Sequence, residues 1–229
     1  MLNFRIEKRL KQRSDKSIVG MDEAGRGPIA GPVAVGAVLV DNNFLKNVRK
    51  HNTWWRRIND SKKLAPVERE KLFKFITKNI PFGLGMVSAK YIDRFGIKKA
   101  TEKAARKALL GLTIRPALIL QDGNRKFLNQ KKCSLRLITK GDGLLWSIAC
   151  ASIVAKVARD NYMRQIARRF PRYHFDKHKG YGTKLHLSCL TQFGPCSLHR
   201  FSFAPLRNRE FQKSFLKGKR ENVHRKGAD

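Results

Sequence analysis

With 229 residues, 41% of them hydrophobic, the chain can build one domain around a full core and lies outside the range of disordered sequences. Its 50 Lys and Arg against 17 Asp and Glu give a formal charge of +33, which repels itself unless a polyanion is near and draws in nucleic acid or an anionic surface. The N-terminus lacks the apolar core of a signal peptide and no apolar run reaches membrane-spanning length, which excludes a membrane-embedded class. The four cysteines show no C-x-x-C spacing, so a reducing cytoplasmic location is expected. Charge alone gives binding without chemistry, and a ribosomal protein would fit it equally well.

Residues 1–16 read as a basic N-terminal arm without pattern, frayed or a short helix. Ser17 to Met21 is an expected strand, a glycine loop follows, and the β-branched run Val33 to Val40 is the next strand. Pro66 opens a helix over Val67 to Lys78, with Glu68 and Glu70 in its first turn, where the dipole favours acids. Phe82 to Ser88 suits a strand, and Ile92 to Leu112 is helical in character. Ala117 to Leu120 is a short apolar strand ending at Gln121-Asp122-Gly123, and Ser134 to Ile138 alternates as a half-exposed strand does. After the breaker Lys140-Gly141-Asp142-Gly143 comes the longest expected helix, Leu144 to about Phe170, apolar on nearly all sides up to Val157 and therefore buried in its first half. Alternating strands and helices predict an α/β fold with a mixed sheet. From about residue 206 the chain is polar and basic, with Phe211 and Phe215 as a helix anchor before a tail.

In so basic a chain the placement of acids is informative. Asp22-Glu23, Asp122 and Asp142 each end an apolar strand or sit in the glycine turn just after it, and neighbouring strand ends form the natural crevice of an open α/β sheet. Carboxylates gathered there repel and raise one another's pKa; two divalent cations remove that penalty, and Mg²⁺ in particular takes oxygen ligands and shares its site with substrate phosphate. The bland alternative is that Asp22 and Asp122 cap their own turns. Asp160 stands roughly 27 Å beyond Asp142 if the intervening helix is continuous, too far to share its metal pair.

Gly25-Arg26-Gly27-Pro28-Ile29-Ala30 formally satisfies a dinucleotide fingerprint, but prolines and a strand follow where that motif needs a helix. A better reading is close backbone approach by Gly25, Arg26 and Gly27 to a small feature of a substrate, with Arg26 reaching phosphate; a ribose 2′-OH, which both donates and accepts, is one such feature. Tyr181, between Gly180 and Gly182, is either displayed for stacking on a sugar or base or an ordinary loop tyrosine. Lys62 and Lys63 are candidate phosphate contacts. His174, His178, His186 and Cys189 fit no standard zinc spacing, and metal-free RNA cleavage by a histidine pair is the remaining alternative for them.

The motif Met21 to Val33 resembles the opening motif of type 2 ribonuclease H (ribonuclease HII). The likeness continues through Asp60-Ser61-Lys62-Lys63-Leu64, Asp122-Gly123-Asn124, Lys140-Gly141-Asp142, Ala151 to Asp160, Lys179 to His186 and His199 to Pro205, and so covers residues 17–205. The resemblance implies a ribonuclease H-like catalytic domain over 17–205, a mixed central sheet flanked by helices, and a short helical, basic C-terminal extension over 206–229. It implies an endonuclease dependent on Mg²⁺ or Mn²⁺ held by Asp22, Glu23, Asp122 and Asp142, acting on RNA–DNA hybrids and on duplex DNA containing ribonucleotides. Gly25-Arg26-Gly27 would sense the 2′-OH, and Tyr181 would stack on the sugar beyond the RNA–DNA junction. The cut would fall 5′ to the ribonucleotide and leave 3′-hydroxyl and 5′-phosphate ends, as in ribonucleotide excision repair. A monomer is expected, since no heptads or dimer stripe appear. Ala65 stands before Pro66 where similar sequences often carry Ser or Thr, so the helix there should lack a side-chain cap worth about 1 kcal/mol.

Overall fold

The computed structural model describes residue 2 and residues 5–12, 17–41, 54–61, 63–128 and 133–208. The expected C-terminal extension, with Phe211 and Phe215, lies almost wholly outside the described residues, as does Lys62. The chain divides into two compact units: Met1–Arg26, Val33–Val87 and Ile97–Arg159 form the first, and Gly27–Pro32, Ser88–Gly96 and Asp160–Asp229 the second.

The first unit is built on a five-stranded sheet in the order β3-β2-β1-β4-β5: β1 Ile18–Ala24, β2 Val33–Val40, β3 Phe82–Val87, β4 Leu118–Asp122 and β5 Ser134–Ile138. β1, β2 and β3 run antiparallel in sequence, while β4 and β5 add on parallel to β1, which is the mixed sheet that alternating elements predict. The expected first strand proves longer than its apolar run: β1 continues through Asp22 and Glu23 to Ala24, paired throughout with β2.

Period-two alternation sends the two faces of this sheet to different helices. Gly20, Gly36, Val38 and Val40 face Trp146–Ala167 (α4); a Cβ on Gly20 would lie 2.3 Å from the Ser147 carbonyl carbon, and one on Gly36 2.3 Å from the Ala151 oxygen. Pro66–Asn79 (α2) covers the same face, its Leu72 and Ile76 sharing a core with Val38, Trp146 and Val154. On the opposite face the later part of Ala89–Leu110 (α3) lies so close to β3 that only glycine fits at Gly83 and Gly85, which face the carbonyls of Ala108 and Ala104. The helical pattern of α3 is interrupted at Gly96, whose φ of 80° and ψ of 158° are not helical, and this is where the chain passes from one unit to the other. The N-cap of α2 is Ala65 and makes no side-chain bond, as its sequence predicts. α4 starts at Trp146, two residues later than expected, because Gly141–Gly143 forms a 3₁₀ turn first. The arm contains a helix, Arg5–Gln12 (α1), in which Glu7 is buried and accepts hydrogen bonds from Ser147 N and Oγ at 3.0 and 3.2 Å.

In the second unit Phe175–His178 (α5) and Lys184–Phe193 (α6) surround a small core of Met163, Tyr173, Phe175 and Cys189. The segment Gly27–Pro32 is tied to it by backbone bonds: Ile29 N and Ala30 N donate to Gly180 O at 2.9 and 3.3 Å, and Arg200 N donates to Ile29 O at 2.8 Å. Among the described residues no helix is long and apolar enough to cross a membrane.

Candidate active site

β1 and β4 are parallel neighbours with Met21 opposite Gln121, so the next residue on each strand is an aspartate, Asp22 and Asp122. Glu23 follows Asp22 on the other face of β1. Asp142 arrives from β5, which pairs with β4 through Asp122 and Ile138, by way of the 3₁₀ turn Gly141–Gly143. Asp122 Oδ1 accepts from Gly141 N at 2.6 Å, so the carboxylate at the end of β4 fixes the turn that carries Asp142. The turn is closely packed at Gly141, where a Cβ would meet the end of the Ile148 side chain at 2.6 Å and Ile138 Cβ at 3.1 Å. The four acids reached from the sequence thus all lie in the first unit at neighbouring strand ends.

The surroundings of Asp22 and Glu23 disfavour charge. Asp22 is buried and its pKa is raised well above the usual carboxylate value, first by burial, then by the charges of Glu23 and Asp122, against a Ser152 hydroxyl hydrogen bond. Glu23 is also raised by burial, with the Arg26 guanidinium pulling the other way from a loose 3.5 Å contact. Asp22 Oδ1 accepts from Glu23 N at 2.7 Å, so it does cap its own backbone, as the bland reading has it.

Two residues with no assigned role in the sequence reading support Asp22. Ser152, on an otherwise apolar turn of α4, donates to Asp22 and is itself 2.8 Å from the buried Ser61 hydroxyl. The Asp60–Lys63 turn that carries Ser61 is closed by Lys63 N donating to Asp60 O at 3.0 Å. Arg69 of α2 holds it by donating to Ser61 O and Leu64 O at 2.7 and 2.8 Å. A hydroxyl inside an apolar helix run was the available signal for Ser152; nothing local marked Arg69. Lys63 is exposed.

Among the described residues no group of three or more His, Cys, Asp or Glu side chains is placed to hold a metal ion. Of the four residues of the zinc reading, His178 and His186 have both ring nitrogens hydrogen-bonded within the protein, which argues against a zinc site there. His178 and His186 are buried, which also removes them as a cleaving pair. A Mg²⁺-type ion keeps several waters and completes its shell with substrate phosphate, so it does not need a protein cage. An all-oxygen donor set in which Asp22 and Glu23 have raised pKa values is the environment a hard divalent cation relieves.

Gly27 and Tyr181 both belong to the second unit. Tyr181 is 42% exposed and follows Lys179 and Gly180, both at positive φ. A Cβ on Gly180 would stand 2.3 Å from Ala30 O, so this glycine permits the backbone contact that holds Gly27–Pro32. Gly25 has a φ of 87°, a conformation that favours glycine. Around Gly27 there is open space for a Cβ, so packing does not explain the glycine there.

A family model for ribonuclease HII matches residues 19–206. The chain is 45% identical over 202 residues to a ribonuclease HII of Caldicellulosiruptor bescii, covering 87% of this chain and 92% of that one. It is 44% identical over 192 residues to a ribonuclease HII of Chlamydia caviae, covering 83% and 85% of the two chains. In structure it is similar to the ribonuclease H2 of Pyrococcus horikoshii OT3, with a TM-score of 0.68 at 25% identity over 86% of this chain and 99% of that one. The resemblance read from the motifs therefore holds over nearly the same span, and the mixed sheet with its flanking helices is the ribonuclease H-like fold. The chain belongs to the ribonuclease HII family and is a hydrolytic endonuclease of the ribonuclease H type.

Proposed function

We propose that this enzyme cuts the RNA strand of RNA–DNA hybrids and also nicks duplex DNA 5′ to a single embedded ribonucleotide, leaving 3′-hydroxyl and 5′-phosphate ends. The biological role is removal of RNA from hybrids and the opening cut of ribonucleotide excision repair. The observation that carries this reading is the set of acids at adjacent strand ends, with Asp22 and Glu23 raised by burial and Asp122 hydrogen-bonded to the turn of Asp142.

Asp22, Glu23, Asp122 and Asp142 are the residues that would hold Mg²⁺ or Mn²⁺. When bound, a pair of such ions activates the attacking water and stabilises the leaving oxygen of an in-line displacement. The protein's own part is orientation. Ser152 and Glu23 N fix Asp22, Ser61 fixes Ser152, and Asp122 holds the Asp142 turn. The backbone of Gly25, Arg26 and Gly27 reads the 2′-OH as a recognition feature; in this mechanism it is not the nucleophile. Tyr181 stacks on the sugar beyond the junction, and Lys62 and Lys63 meet phosphate. The charge of +33 supplies sequence-independent attraction to the duplex, with a salt slope of about −0.9 per phosphate neutralised. Among the described residues the cysteines are unpaired, which supports work in a reducing cytoplasm, and we take the enzyme to act as a monomer.

The test is cleavage of a DNA duplex carrying one ribonucleotide, in Mg²⁺, in Mn²⁺ and in EDTA, with the cut mapped to the nucleotide. A metal-dependent nick 5′ to the ribonucleotide, absent on all-DNA duplex, is expected. Cutting of long hybrids alone would remove the junction role of Tyr181 and leave the metal site standing.

A further inference from the structure

Three histidines that the mechanism does not use form one continuous chain beneath the Tyr181 loop, and their hydrogen bonds determine where every proton sits. A carbonyl oxygen can only accept and a backbone N–H can only donate, so each fixed partner settles the state of the ring nitrogen facing it. His178 Nε2 lies 2.7 Å from Tyr173 O and must carry hydrogen, while its Nδ1 accepts from Gly180 N at 3.2 Å and must be bare. His186 Nδ1 lies 2.9 Å from Tyr181 O and must carry hydrogen, which leaves its Nε2 bare in the neutral ring. That nitrogen is 3.0 Å from His199 Nε2, so His199 carries its hydrogen on Nε2. Its Nδ1 is then bare and accepts from Cys196 N at 2.9 Å, with Cys196 Sγ and O also near it at 3.2 and 3.3 Å; the Cys196 carbonyl is already engaged by His199 N at 3.0 Å. The pattern closes with three neutral rings and no nitrogen left over. An added proton on His178 or His186 would face an N–H.

The rings are also packed as one block. His178 and His186 stack with centroids 4.1 Å apart and planes 14° from parallel. Phe175 meets each of them edge-on, and all three imidazoles are buried. What this block touches is the backbone on both sides of one exposed side chain: the N–H of Gly180 and the carbonyl of Tyr181. The same Tyr181 carbonyl accepts from Thr183 N at 2.8 Å, and Thr183 Oγ1 caps α6 by accepting from His186 N at 3.3 Å.

We propose that His178, His186 and His199 are positioning residues, a tautomer-locked chain of neutral imidazoles that fixes the backbone of the Tyr181 loop so that the ring is presented to the ribose in one orientation. This rests on the reading that Tyr181 contacts substrate. Stacking on a sugar needs a preset ring plane, and a loop with two successive positive-φ residues, Lys179 and Gly180, does not hold one without outside support. Bulky apolar residues would fill the space equally well but could not both donate to the Tyr181 carbonyl and accept from Gly180 N.

The experiment is a double-mutant cycle on the full chain between His186→Asn and Tyr181→Ala. The quantity read is the ratio of kcat/KM on a duplex with one embedded ribonucleotide to that on a long RNA–DNA hybrid, with thermal melts run alongside. Each single variant is expected to lower that ratio on the order of tenfold, the size of one lost stacking contact, and the double variant no further than the larger single loss. A lowered ratio in Tyr181→Ala with an unchanged one in His186→Asn, or two losses that multiply, overturns the positioning role and keeps the substrate role of Tyr181. An unchanged ratio in Tyr181→Ala removes the substrate reading and this inference with it. Should His186→Asn fail to fold, long-range ¹H–¹⁵N spectra of the unaltered protein decide. Hydrogen on Nδ1 of His186 and on Nε2 of His178 and His199 is expected at neutral pH; any other assignment, or a doubly protonated ring, overturns the proposal.

Discussion

Replacing Gly20 by alanine tests the contact on which the catalytic unit is assembled. The added methyl carbon would stand 2.3 Å from the Ser147 carbonyl carbon, 2.5 Å from its oxygen and 2.6 Å from Ile148 N. All three are backbone atoms of the first turn of α4, so no rotamer change can make room, and an ordinary van der Waals contact lies at 3.4–4 Å. The helix must therefore retreat by about an ångström from a sheet it packs against at native density. Overpacking a core costs about 1–3 kcal/mol; a clash against helix backbone belongs at the top of that range, about 3 kcal/mol. The retreat also pulls at Ser147 N and Oγ, which donate to Glu7, and at Ser152, which donates to Asp22. For a domain of this size the melting temperature should fall by about 6–12 °C, read by circular dichroism in EDTA. A Gly20→Ala protein melting within about 2 °C of the parent would refute the close approach of α4 to β1.

Three further outcomes follow from the same geometry. Glu7→Ala should cost about 1–3 kcal/mol in urea unfolding, because it leaves Ser147 N, at the start of α4, without its acceptor; an unchanged midpoint would mean that α1 adds nothing to the fold. Asp22→Asn should raise the melting temperature in EDTA by about 2–4 °C, corresponding to about 1 kcal/mol, because it removes a buried charge that Glu23 and Asp122 oppose while keeping an acceptor for Glu23 N. A lower melting point in EDTA would show that the metal-free cluster is not strained. Burial lowers His186 to about 4 and His199 to about 3 from 6.5, so both stay neutral in the fold while the unfolded chain takes up protons. Their stabilisation is complete above about pH 6.5, declines as pH falls below that unfolded value and levels off at the folded values; by pH 5 each has lost about 2 kcal/mol. Glu7 and Asp22, whose pKa values are raised, act with the opposite sign, so the histidines are best followed individually by NMR between pH 7 and pH 5. A flat titration is expected, and a midpoint near 6.5 would contradict their burial.

Elements with a local signature were legible in the sequence. Val33–Val40 and Ser134–Ile138 form strands over the residues their patterns indicate. Acids are scarce in this chain, so those closing apolar runs stood out, and the sheet order brings their strands together. What the sequence hid depends on partners far along the chain. Gly83 and Gly85 look like weaknesses in a strand until the carbonyls of Ala108 and Ala104 are seen against them. Glu7 gave no sign of reaching Ser147, because a single acid in a basic arm has no periodicity to betray its burial. His178 and His186 suggested a metal; His199, the partner that completes the chain, lies beyond α6 and shares no spacing rule with them. The break at Gly96 was masked by the helix-forming Ala and Lys residues after it.

The most direct test of the catalytic reading is single-turnover cleavage of a duplex with one embedded ribonucleotide by Asp22→Asn, Glu23→Gln, Asp122→Asn and Asp142→Asn at saturating enzyme and Mg²⁺. If these carboxylates hold the metal, each variant loses about 100-fold or more in rate while binding the duplex as well as the parent or better, since a repulsive charge has gone. A variant of Asp122 or Asp142 that cleaves at close to the parent rate would contradict the account.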